Sequence, residues 1–192
     1  MKYFRIILLL FLPIAPSIAQ ISQINSSEYL TEFRGIKWGS TIEDVRSSET
    51  SQYLQKFKGF GIEAISFSSE IAGLDVRIDY TFRFRKLVEG SYTVKSDKNY
   101  REDFMLLLKF VTDGYGNPNY RSGPIYSTGD FWLKENNYGM FKGPSLYWKF
   151  ENGFIALLSE KLDDNITISI LYVNGKTIKE YATGNIVEIK EK

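Results

Sequence analysis

The chain has 192 residues and contains neither cysteine nor histidine. Without histidine it lacks the side chain that most often acts as general base near neutral pH, and the Ser-His-Asp relay is excluded. Without either residue, the common zinc ligands and the thiolate nucleophile are missing. No Gly-x-Gly-x-x-Gly, P-loop or Ser-x-x-Lys string occurs, so the usual phosphate cradles and a serine–lysine pair have no signature here. Charge of one sign is also lacking, with 24 basic against 23 acidic side chains. That balance offers no basic face for nucleic acid. No segment approaches the roughly 20 apolar residues that a membrane-spanning helix needs.

The N-terminus carries the pattern of a signal peptide over residues 1–19. Lys2 and Arg5 precede an apolar run from Ile6 to Ala15, and Ser17-Ile18-Ala19 places small residues at both cleavage-site positions. The expected mature chain begins at Gln20 with 22 basic and 23 acidic residues. No cysteine follows the run, so no lipid anchor can form. A chain of this length can bury a sufficient core without disulfides. Cysteine-free export points to a bacterium, because small exported eukaryotic domains are commonly disulfide-rich. The expected location is periplasmic or extracellular.

Residues 20–31 read as a flexible, polar lead-in. Residues 32–182 read as one α+β domain, and residues 183–192 as a charged C-terminal tail. Phe33 to Trp38 reads as a short strand. Ser40 and Glu43 then have capping-box spacing for a helix ending near Ser48. From Leu74 to Phe84, apolar and polar residues alternate without a break, which predicts a strand with one buried face. Flanking strands are expected from Ala64 to Ile71 and from Leu87 to Val94. Asn99 and Glu102 repeat the capping spacing. Tyr100, Phe104, Leu107, Leu108, Val111 and Tyr115 form a helical stripe, and Gly114 and Pro118 supply a stop. Glu151-Asn152-Gly153 separates two apolar runs as a hairpin turn. Asp163-Asp164-Asn165 leads into an alternating strand from Ile166 to Val173. The order of helix then strands occurs twice. The fold class expected is α+β: an antiparallel sheet with a short N-terminal helix and one longer central helix packed on one face.

Two short motifs carry a resemblance. "FRGIKWGSTIEDV" (Phe33 to Val45) and "YGNP" (Tyr115 to Pro118) resemble small exported bacterial proteins of unknown function. Those have a Gly-x-x-Trp-Gly-[Ser/Thr] helix start, a Tyr-Gly-x-Pro helix exit and later strands carrying a Trp, here Trp148. More remotely, "GSTIEDV" is similar to the helix start of SmpA/OmlA-type small lipoproteins, and the helices-on-a-sheet plan to β-lactamase inhibitor protein. The lipid-bearing cysteine of the lipoproteins is absent. The resemblance implies no catalytic residues.

Asp163-Asp164 lacks the pattern of a calcium loop, and paired Asx residues between strands make turns. Glu43 and Asp44 suit the first turn of a helix, where the dipole favours negative charge. No catalytic, cofactor or metal site is therefore expected. The sequence points to an exported, non-catalytic domain that binds a protein or an envelope polymer. The alternative is a carboxylate-dependent hydrolase acting on polysaccharide. The candidate binding residues are Trp132, Phe141, Phe131, Tyr138 and Tyr126. They lie in an aromatic-rich segment, Asn117 to Ser145, with little sustained periodicity, and aromatics dominate interface hot spots.

Overall fold

The computed structural model describes residues 29–96, 99–122, 133–134 and 140–175. The alternating segment becomes strand β5 (Leu74–Arg83), with Val76, Ile78, Tyr80 and Phe82 buried and Asp75, Arg77 and Arg83 exposed. It pairs antiparallel with β4 (Ile62–Ile71) and β6 (Lys86–Ser96). β3 (Gln52–Gly59) lies outside β4 and completes a four-stranded meander. A second meander runs through β9 (Met140–Phe150), β10 (Gly153–Leu162) and β11 (Asn165–Asn174). The two are zipped into one sheet by antiparallel pairing of β6 with β11. Short strands β7 (Tyr120–Ser122) and β8 (Leu133–Lys134) lie along the other side of β9. The strand order is β3-β4-β5-β6-β11-β10-β9-β7, with β8 also on β9. A separate hairpin, β1 (Glu32–Phe33) and β2 (Ile36–Lys37), precedes α1 (Ile42–Ser48), and α2 (Tyr100–Tyr115) links the meanders.

This corrects the expected α+β class. Among the described residues the protein is mostly β, with 59% strand, 19% helix and two helices beside a large antiparallel sheet. Two segments tip the balance. Gln52 to Gly59 is a full strand although every residue from Gln52 to Lys58 is exposed. With both faces wet it carries no apolar alternation for sequence reasoning to detect. Part of Asn117 to Ser145 is also β, as β7, β8 and the start of β9. α2 does bury Phe104, Leu107 and Val111 and packs on β11 and β10.

Local signals moved by a residue or two. The capping box is formed by Thr41 and Asp44 rather than Ser40 and Glu43: the Thr41 hydroxyl accepts from the Asp44 amide at 3.2 Å, and Asp44 Oδ2 accepts from the Thr41 amide at 2.8 Å. Asn99 does occupy the N-cap of α2, yet its side chain makes no capping bond. The stop of α2 is Gly116, in the left-handed region at φ 75°, rather than Gly114. Phe33 to Trp38 is a tight hairpin turning at Arg34-Gly35, not a single strand.

Phe33 sits at the centre of the core. Its ring lies 5.3 Å from Tyr80, 5.2 Å from Tyr92 and 5.0 Å from Tyr172, in edge or tilted contacts. Gly90 on β6, paired with Tyr80 on one side and Tyr172 on the other, leaves the hole that this ring fills. A Cβ at Gly90 would stand 2.1 Å from the ring. The chain before it is also held. Leu30, in the segment the sequence assigns to the lead-in, is 3% exposed. Asn152, in the β9–β10 turn, accepts from the Leu30 amide at 2.7 Å and donates to its carbonyl at 2.8 Å. On β9, Pro144 lies at a register shift, where it can donate no ladder bond. The buried Ser159 hydroxyl instead donates to the Pro144 carbonyl at 3.1 Å.

Candidate functional site

The C-terminal half of α2 and the chain that follows it form a groove of about 540 Å³. Its construction follows from three anchors. Gly116 ends α2 by donating its amide to the Thr112 carbonyl at 2.8 Å. The Gly116 carbonyl accepts from the indole of Trp148, itself 2% exposed, at 2.8 Å. Asn119 then grips β9: its amide donates to the Tyr147 carbonyl at 2.8 Å and its side-chain oxygen accepts from the Lys149 amide at 2.5 Å. These bonds place Asn117 to Arg121 opposite the face of α2 that carries Met105, Leu108, Lys109 and Thr112, with Leu146 among the lining residues.

The groove is mixed in character. Met105 and Tyr120 are exposed, at 41% and 60%. Arg121 is exposed on its rim. Lys109 and Asp113 form an open i,i+4 ion pair at 2.7 Å. Such a groove can hold an apolar group against Met105 and Tyr120 and an anionic group beside Arg121.

A second cluster looks more like chemistry but is locked. Glu49, at the C-cap of α1, accepts from Arg34 Nε at 2.9 Å and Nη2 at 3.2 Å, from Tyr80 Oη at 2.5 Å and from the Ser51 amide at 2.9 Å. Arg34 Nη1 also reaches Tyr92 Oη at 3.4 Å, and the guanidinium carbon lies 5.8 Å from the centre of that ring. Burial alone would raise the Glu49 pKa, but the hydrogen bonds from Arg34, Tyr80 and Ser51 outweigh it and hold the carboxyl at about 2. Burial and the Glu49 bond push the Tyr80 hydroxyl well above its ordinary value. A carboxylate this acidic and a phenol this basic exchange no proton near neutrality. The cluster instead ties the β1–β2 hairpin and α1 to the sheet. Sequence reasoning missed it, since Arg34, Glu49 and Tyr80 come from three separate elements.

A third group lies on the sheet face opposite the core. Glu89 is pushed upward by burial, partly offset by a hydrogen bond from Thr81 and by the charge of Arg83, while Asp79 pushes it further up. Asp79 accepts from Ser66 at 2.5 Å and pairs with Arg77 at 2.8 Å.

Of the aromatics expected to bind, Trp132, Phe131, Tyr138 and Tyr126 lie outside the described residues. Phe141 is placed only by its backbone, in β9 opposite Lys161 and Lys134. Trp38 is half-buried against the core, and its indole N–H is buried with no hydrogen-bond partner among the described residues. Asp163-Asp164 forms the β10–β11 turn, Asp163 at φ 52°. No group of acidic residues arranged to hold a metal ion occurs among the described residues, and no helix there is long and apolar enough to cross a membrane. No known protein family matches the chain, and no curated protein is significantly similar to it.

Proposed function

We propose that the protein is an exported, non-catalytic binding domain whose groove between α2 and β7 takes a protein or an envelope component, in the periplasm or outside the cell. The observation that carries this reading is the groove itself: an open apolar side chain on each wall, Met105 and Tyr120, a cation on the rim, and walls fixed by hydrogen bonds to the backbone. Preformed walls reduce the ordering cost of binding. Among the described residues the only carboxylate lining it, Asp113, is paired with Lys109, whereas glycoside cleavage commonly uses two facing acids. The segment joining β7 to β9 brings Tyr126, Phe131, Trp132 and Tyr138 into the same stretch of chain, so the reading keeps them, with Phe141, as contributors. The test is capture from an envelope extract by wild type and by a Met105→Ser, Tyr120→Ser variant. The reading expects an unchanged denaturation midpoint and loss of the captured partner. Undiminished capture would move the site elsewhere.

One observation favours the alternative, a carboxylate-dependent hydrolase acting on polysaccharide. Glu89, kept protonated to higher pH by burial, shares a sheet face with the ion-paired Asp79, which is the division between a general acid and a charged partner that such chemistry needs. Release of reducing ends by wild type but not by Glu89→Gln would establish it.

A further inference from the structure

Two hairpin tips stand side by side at one end of the sheet. The β3–β4 turn is Phe60-Gly61 and the β5–β6 turn is Phe84-Arg85, and the paired residues Gly59, Ile62, Arg83 and Lys86 form the row beneath them. All four turn residues have positive φ: Phe60 52°, Gly61 75°, Phe84 50° and Arg85 63°. A two-residue turn of this kind favours Asn-Gly, and a bulky aromatic in the left-handed region is uncommon. The rings gain no burial in return. Phe60 is 100% exposed, Phe84 66%, and Phe57 just below them 52%. Strained backbone of this kind clusters at functional sites. Two strand spacings separate the tips, about 10 Å.

The surroundings of these rings are basic. Lys56, Lys58, Arg83, Arg85 and Lys86 lie in the turns or the strand ends that carry them. The acids interacting with them are Glu63, which pairs with Lys56 at 2.9 Å and Lys58 at 3.4 Å, Glu89 near Arg83, and Asp44 near Lys86. Positive charge remains in excess, and Arg85 makes no ion pair among the described residues.

We propose that the Phe60 and Phe84 hairpin tips dock on an anionic phospholipid surface, with both rings entering the headgroup boundary and the flanking cations facing the lipid phosphates. Apolar side chains ringed by Lys and Arg are the combination that binds such an interface: burial supplies depth, and charge supplies preference for anionic lipid. This surface is separate from the α2–β7 groove, and the inference stands without it.

The test uses the full chain carrying Phe60→Trp, with vesicles of phosphatidylcholine alone or mixed with phosphatidylglycerol. Emission at this position reports the tip itself, whatever the N-terminal apolar run does; the wild-type spectrum is subtracted for the native tryptophans. The proposal expects a blue shift with phosphatidylglycerol vesicles only, reversed by high salt. In a Phe60→Asn, Phe84→Asn variant, whose turns suit asparagine better, vesicle affinity should fall by about tenfold or more. No shift, an equal shift on neutral vesicles, the same shift with soluble polyglutamate, or unchanged affinity of the asparagine variant would each overturn it.

Discussion

Strands β5 and β3 belong to one sheet and are separated only by β4, yet they are built on opposite terms. On β5, Ile78 and Tyr80 are 0% exposed, Phe82 1% and Val76 4%. On β3, Tyr53, Leu54 and Phe57 are 44%, 46% and 52% exposed. β5 is held by side chains in the core and by backbone pairing on both sides. β3 is held by backbone pairing to β4, by the Lys56–Glu63 pair and by Arg46 lying 5.1 Å over the Tyr53 ring. The charged side chains along it are the usual guard on a strand that has no second pairing partner among the described residues. Stability is concentrated in the middle of the sheet, and exposed apolar surface at its edge and tips.

The largest expected effect tests the β5 side. Phe82→Ala removes a ring that is 1% exposed and should lower unfolding free energy by about 3–5 kcal/mol, read as a shift of the urea midpoint. A loss under about 1 kcal/mol would mean the alternating face is not the core.

Glu49→Gln probes the lock between the sheet and the N-terminal elements. It leaves Arg34 facing a neutral partner and should cost on the order of 2–3 kcal/mol, below the full value for a buried pair because Arg34 is partly solvated. The same group sets a pH dependence. Its folded pKa, about 2, lies below the ordinary 4.5. Its contribution is therefore fully present above about 4.5 and is lost as pH falls through about 2. Wild type should lose stability across that window, and Glu49→Gln should lose less. Parallel acid profiles would contradict the lock.

Gly90→Ala tests close packing without touching a side chain. The new methyl would meet the Phe33 ring at 2.1 Å, and displacing the ring should cost about 1–3 kcal/mol. Phe33→Leu combined with it should restore part of the loss. Absence of any rescue would show that the clash lies elsewhere. The smallest effect belongs to β3. Phe57→Ala should stay within about 0.5 kcal/mol, as should Arg83→Ala at the exposed end of β5. A Phe57 effect matching that of Phe82 would erase the contrast between the strands.

The same contrast explains what was legible in the sequence. β5 is legible almost to the residue because one buried face writes alternation into the chain. α2 is legible from its stripe for the same reason, and the turns at Asn152 and Asp163-Asp164 from their Asx residues. β3 was invisible, since nothing selects an apolar period on a strand wet on both faces, and its omission helped turn a mostly β protein into an expected α+β one. The groove was legible only as a stretch of chain, through Tyr115 to Pro118 and the aromatics beyond. Its facing wall on α2 and the Asn119 bonds to β9 depend on pairing across about thirty residues, which no local pattern records. The Arg34–Glu49–Tyr80 cluster failed for the same reason. Gly90 carries no pattern of its own, because its meaning is the ring that lies over it. The Phe60-Gly61 and Phe84-Arg85 tips lack the Asn-Gly or Asp-Gly signature of such turns, and this departure is what makes them informative.

Native-state hydrogen exchange tests this division of the sheet most directly. Amides of β5 hydrogen-bonded to β4 and β6 should exchange only through global unfolding, with protection tracking total stability as urea is added. Amides of β3 should exchange through a smaller opening of markedly lower free energy, and those facing away from β4 should exchange without protection. Equal protection along β3 and β5 would contradict the account, because the edge would then be as firmly built as the core.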